Sequence, residues 1–160
     1  MRSFTIPSGK AELTGVEDGK GPALVFLHAG VADKRMWRDQ MAAFGDRHRV
    51  VAYDRRGFGE TRYRPETFSH MQDLRTVLDK LGIELAALVG CSQGRRFAVD
   101  FPLAYPKRVG KLVLVPREQT KTEDARVRLF IAAIDSNGST SDVQNVPLPI
   151  SIPKADVAAA

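Results

Sequence analysis

The chain has 160 residues, 43% hydrophobic and 27% charged, the balance of one ordinary globular domain with a single core. No apolar run approaches the roughly 20 residues of a membrane span, and residues 1–10 lack the apolar stretch of a secretory signal. The formal charge of +5 invites nucleic acid as a partner, but basic residues are scattered among acidic ones and no nucleic-acid motif is present, so a generic basic surface is expected instead.

In chain order, the segments before residue 20 suggest an antiparallel hairpin, with Asp18-Gly19 as a turn signal. Four short apolar runs then follow: Ala23–Leu27, Val50–Tyr53, Leu85–Val89 and Leu112–Val115. They are continuous rather than alternating, which predicts strands covered on both faces in a parallel sheet. Helical spacing separates them. Trp37, Met41 and Phe44 fall at i, i+4, i+7, and Leu74, Val77, Leu78 and Leu81 at i, i+3, i+4, i+7. Phe97, Ala98 and Phe101 predict a third helix after Ser92. Strands alternating with helices predict an α/β fold, an open and mostly parallel sheet with helices on both faces.

The character changes at Pro116. Residues 1–115 read as the core domain and 116–160 as a divergent C-terminal extension. Within the extension, Thr120 and Glu123 make a capping box, and Val127, Phe130, Ile131 and Ile134 predict one amphipathic helix over about 121–135, closing near Asn137-Gly138. Ser139 to Ala160, rich in Ser, Pro and Ala, is expected to be irregular or disordered.

Gly90-Cys91-Ser92-Gln93-Gly94 matches G-x-S-x-G, and its setting between an apolar strand and a helical pattern is the one a nucleophile elbow requires. A serine on such a sharp turn is exposed, and side chains at Gly90 or Gly94 would collide with neighbouring backbone. The N-terminal N–H groups of the following helix then face any oxyanion that develops. Cys91 occupies the variable position and reads as a buried, inert thiol. As the single cysteine it permits no intrachain disulfide, which fits a cytoplasmic setting. No His/Cys set has metal-ligand spacing, and Gly57-Phe58-Gly59 lacks the third glycine of a dinucleotide fingerprint, so neither metal nor cofactor is expected.

Leu27-His28-Ala29-Gly30 ends the first apolar strand, and Tyr53-Asp54-Arg55-Arg56-Gly57-Phe58-Gly59-Glu60-Thr61 ends the next. With the elbow, Leu81-Gly82-Ile83 and Tyr105-Pro106-Lys107-Arg108-Val109, these make the chain resemble the α/β-hydrolase superfamily, in its cofactor-independent, esterase-like members, from about Pro22 to Val115. The resemblance implies Ser92 as nucleophile at the carboxyl edge of the sheet, with the backbone N–H groups of Gln93 and Gly30 forming the oxyanion hole. It implies a structural, supporting place for His28 beside that hole, and Asp54 and Arg56 bracing a turn.

A serine needs a base, and the sequence has three histidines. The resemblance places His28 beside the oxyanion hole, while in the sequence His48 precedes a strand, at the end of the sheet opposite Ser92, and His70, after Thr67-Phe68-Ser69, is expected at the start of a helix. Asp135 and Asp142 fall where an acid would be sought, but neither ends a recognisable strand. No triad acid or base is identified, so the expectation is a C-terminally truncated α/β-hydrolase fold. Its substrates would be small esters or related acyl compounds, and its activity weak or absent. Alternatives are a non-catalytic binding or assembly protein on the same scaffold, or an enzyme completed by a partner chain. Two departures sit beside the elbow. Arg95 and Arg96 follow Gly94, where they crowd the helix–sheet contact or turn outward, and Pro102 falls inside the predicted helix. If Leu112–Val115 is the last strand, its open edge favours a homo-oligomer or a covering by the tail.

Overall fold

The computed structural model describes residues 1–115 and the strand backbones of 128–134 and 140–147. The chain opens with β1 (Arg2–Ser8) and β2 (Ala11–Asp18), an antiparallel hairpin that pairs Ser8 with Ala11. Its turn is Gly9-Lys10, with Gly9 at φ 57°, rather than Asp18-Gly19. The latter pair does turn the chain, but out of β2: Asp18 Oδ1 accepts the Gly19 N–H at 2.9 Å, and Gly19 sits at φ 71°.

The four apolar runs become β3 (Ala23–Leu27), β4 (Arg49–Tyr53), β6 (Ala86–Cys91) and β7 (Val109–Val115), and a short β5 (Arg62–Tyr63) pairs with β2. The order across the sheet is β1-β2-β4-β3-β6-β7, extended by β8 (Arg128–Ile134) and β9 (Thr140–Pro147). β4, β3, β6 and β7 are mutually parallel and form the centre; the flanking pairs are antiparallel.

Period-two alternation sends successive side chains of the central strands to opposite faces. Val25, Leu27, Val51, Tyr53 and Leu88 point to one core, which α2 (His70–Lys80) covers with Leu74, Val77 and Leu78 and α3 (Gln93–Ala104) with Ala98 and Phe101. Leu24, Phe26, Val50, Ala52 and Val89 point to the other, closed by Trp37 from a single 3-10 turn and Met41 of α1 (Arg38–Phe44). Burial on both faces is why these runs are continuously apolar. Ser69 caps α2 by accepting the Met71 N–H at 3.2 Å.

The extension departs from expectation. Arg128–Ile134, placed in a predicted helix over 121–135, form a strand antiparallel to β7, with Leu112 opposite Ala132 and Leu114 opposite Phe130. Thr140–Pro147, expected to be irregular, pair with β8. The run Arg-Leu-Phe-Ile-Ala-Ala-Ile fits either period, and the unpaired backbone groups of β7 tip it toward extended structure. β7 is therefore not the sheet edge, and the open edge expected there is covered by residues of the extension. The capping box at Thr120 and Glu123, the Asn137-Gly138 stop and residues 148–160 lie outside the described residues.

Candidate active site

β3 lies between β4 and β6, so the chain departs in opposite directions from neighbouring strands, and their carboxyl ends mark the switch point at which open α/β sheets bind ligands. Two segments meet there: His28-Ala29-Gly30 after β3, and Ser92-Gln93-Gly94 after β6. Ser92 stands at φ 50° and ψ −115°, and it alone among the described non-glycine residues has a positive φ. Such a conformation costs on the order of 1–3 kcal/mol and persists where surrounding contacts impose it.

Those contacts are backbone. A Cβ on Gly90 would lie 2.6 Å from the Gly94 carbonyl oxygen and 2.8 Å from Arg95 N, and one on Gly94 would lie 2.2 Å from the Leu27 carbonyl oxygen. A Cβ on Gly30 would lie 2.8 Å from Gln93 Oε1, so the two residues expected to supply oxyanion N–H groups are neighbours. Arg95 and Arg96 are exposed, and Arg96 pairs with Asp100 at 3.5 Å. They turn outward and do not crowd the helix–sheet contact.

His28 is fully buried. Its Nε2 accepts the Arg55 N–H at 3.1 Å, which places the ring proton on Nδ1, and Nδ1 donates to the Ala29 carbonyl at 2.7 Å. The ring lies edge-on to Phe58, centroids 4.9 Å apart. Burial, aided by the Arg55 charge, lowers its pKa below the usual histidine range. Neither nitrogen is left to take a proton from Ser92. His48 precedes β4 at the amino ends of the parallel strands, away from Ser92. His70 heads α2 with its ring 4.7 Å from that of Phe97 on α3, and burial lowers its pKa too. Asp142 lies on β9, and Asp135 is outside the described residues.

Asp54 accepts the Lys34 N–H at 2.7 Å, the Lys34 ammonium at 2.7 Å and the Glu60 N–H at 2.8 Å, while Arg56 holds both Asp73 oxygens. Asp54 thus braces the turn after β4, as the resemblance implies, and Arg56 ties that segment to α2. Cys91 is half-buried, and burial pushes its thiol pKa up. Among the described residues no group of three or more His, Cys, Asp or Glu is placed to hold a metal ion, and no helix is long and apolar enough to cross a membrane.

Arg55 was not distinguished by the sequence pattern. It is 1% exposed, donates from Nη1 to Gln93 Oε1 at 2.9 Å and from Nη2 to the His28 and Ala29 carbonyls at 3.1 and 3.3 Å. The rings of Phe58 and Phe97 flank its guanidinium at 4.7 and 4.8 Å. Its bonds run to backbone oxygens and one amide, partners that no spacing in the sequence announces.

A profile of the alpha/beta hydrolase fold family matches residues 22–132. The chain belongs to this family. Epoxide hydrolase 4 of Homo sapiens is 34% identical over 104 residues, covering 62% of this chain and 28% of that protein. The 2-hydroxy-6-oxo-6-phenylhexa-2,4-dienoate hydrolase of Comamonas testosteroni is 31% identical over 107 residues, covering 62% of this chain and 37% of the relative. A solved N-acyl homoserine lactone degrading enzyme superposes with a TM-score of 0.66 at 27% identity, covering 69% of this chain and 44% of that one. This hydrolase-fold chain thus spans less than half the length of each of these relatives.

Proposed function

We propose that the chain carries the nucleophile and oxyanion portion of a serine hydrolase for small esters or related acyl substrates. The observation that carries this reading is Ser92 at φ 50°, held between two glycines that admit no Cβ, at the carboxyl edge of the sheet. In the proposed reaction Ser92 Oγ attacks the carbonyl carbon, and the carbonyl oxygen, now negative, accepts hydrogen bonds from the N–H groups of Gln93 and Gly30. The lactone acted on by one structural relative is a cyclic ester, which supports an acyl substrate here.

Ser92 Oγ must also lose its proton, and both His28 nitrogens are already engaged. With no triad base identified, the chain alone is weakly active or inactive. Loss of a triad in serine proteases leaves about 10³–10⁴-fold catalysis from the oxyanion hole and binding, and this sets the upper range. The reading keeps residues 1–115 as the hydrolase core, 116–160 as an extension, and a cytoplasmic setting in keeping with the single cysteine.

The test is labelling of the purified chain by a fluorophosphonate probe, alongside hydrolysis of an activated aryl ester. Slow labelling that vanishes in Ser92→Ala is expected. Labelling that survives Ser92→Ala removes Ser92 as nucleophile, and fast stoichiometric labelling at neutral pH shows that a base is in place.

A further inference from the structure

A buried guanidinium normally has a carboxylate beside it, because an uncompensated charge away from water is expensive. Among the described residues none pairs with Arg55: its sequence neighbour Asp54 is spent on Lys34 and the Glu60 N–H. Its Nε is buried without a hydrogen-bond partner among those residues, and desolvation lowers its pKa from the ordinary guanidinium value. A buried cation with no carboxylate beside it among the described residues points to a role at the site it borders.

Its bonds supply one. Nη1 holds the side chain of Gln93, which follows Ser92, while Nη2 holds the carbonyls of His28 and Ala29, which precede Gly30. The backbone N–H of Arg55 fixes the His28 ring as well. One planar fork therefore ties together the segments after β3 and after β6. From these contacts we infer that Arg55 is the positioning residue of the oxyanion hole, clamping the Gly30 and Gln93 segments at a fixed separation. Its positive charge, with no carboxylate beside it among the described residues, also favours the negative oxygen that forms between them. The role rests on the reading of Ser92, Gln93 and Gly30 given above.

The clamp needs a fork. A lysine keeps the charge but presents one nitrogen and cannot span Gln93 Oε1 and the two carbonyls together. Gln93→Met removes the acceptor from an exposed side chain while leaving the Gln93 backbone N–H in place, so the fold is spared.

Butylboronic acid reports on the hole without requiring turnover. The Ser92 Oγ lone pair fills the empty boron orbital, a B–O bond forms, the hydroxyl proton passes to solvent, and the tetrahedral boronate carries the negative charge. Boron NMR distinguishes tetrahedral from trigonal boron, and the titration gives a dissociation constant. The wild-type chain is expected to give a saturable tetrahedral signal that disappears in Ser92→Ala. Arg55→Lys and Arg55→Met should each weaken binding about tenfold or more, the scale of hydrogen bonds to a charged group. Gln93→Met should weaken it less, and its effect should vanish in the Arg55→Lys background. Wild-type affinity in both Arg55→Lys and Gln93→Met overturns the clamp, as does a wild-type chain that never shows tetrahedral boron. Binding that persists in Ser92→Ala but falls in Arg55→Lys overturns the nucleophile and leaves the clamp standing.

Discussion

Gly94 sits so close to the end of β3 that a Cβ on it would lie 2.2 Å from the Leu27 carbonyl oxygen. The first turn of α3 is thereby pressed onto the segment that leads into His28, and this approach brings Gly30 and Gln93 together. Gly94→Ala has no flexible neighbour to displace, so it is expected to destabilise the domain by about 3 kcal/mol. Gly110→Ala is the control. Its nearest atoms, at 3.4 Å and beyond, belong to the Leu85 side chain, and its effect should stay within about 0.5 kcal/mol. Urea unfolding of both variants checks the pair.

Pro102 lies inside α3, which continues to Ala104 and closes with the Tyr105 N–H on the Phe101 carbonyl at 2.8 Å. A proline at an interior helix position costs about 3 kcal/mol, for want of the N–H that would meet the Ala98 carbonyl. The ring is buried, and Pro102→Ala gives up two methylenes at about 0.8 kcal/mol each. The lost hydrogen bond outweighs the lost burial, leaving a gain of about 1 kcal/mol. A thermal midpoint raised by a few degrees is expected, and an unchanged or lower one contradicts this balance.

How far the sequence could be read depended on whether a residue's partners leave a pattern. The parallel centre was legible because runs such as Ala23–Leu27 and Val50–Tyr53 are apolar at every position, as burial on both faces demands. Ser92 was legible because its two glycines answer a steric requirement that any such turn must meet. Arg128–Ile134 misled because an unbroken apolar run satisfies helical spacing as easily as it fills a strand, and β7 decided the matter. The hairpin turn misled as well, since Gly9 and Gly19 both take positive φ and only strand pairing distinguishes them. The role of Arg55 was not legible, because a buried guanidinium bound to carbonyl oxygens looks in sequence like any arginine.

His28 and His70 are both held below the free histidine value of 6.5, mainly by burial. The unfolded chain therefore takes up these protons before the folded one does. Stability linked to the two rings is fully present above pH 6.5 and is lost as the pH falls through their lower folded values. The carboxylates Glu17, Asp33 and Glu66, lowered from 4.5, 3.8 and 4.5, titrate further down and leave this window clear. The melting temperature should decline from neutral pH toward about pH 5. His70→Phe, which keeps the ring packing on Phe97, should flatten the decline, and a slope identical to wild type contradicts the assignment.

The strain at Ser92 allows fold and chemistry to be separated at one position. Both serine and alanine place a Cβ at φ 50°, whereas glycine does not. Relief of such strain is worth on the order of 1–3 kcal/mol, against about 0.4–1 kcal/mol for the greater freedom of glycine in the unfolded chain. Strain relief wins. Ser92→Gly is expected to be more stable than Ser92→Ala by about 1 kcal/mol in parallel urea titrations, while neither variant reacts with fluorophosphonate. Equal stability of the two would mean that the backbone at Ser92 relaxes once the hydroxyl is gone, and that the hydroxyl's own contacts, rather than Gly90 and Gly94, hold the turn in place.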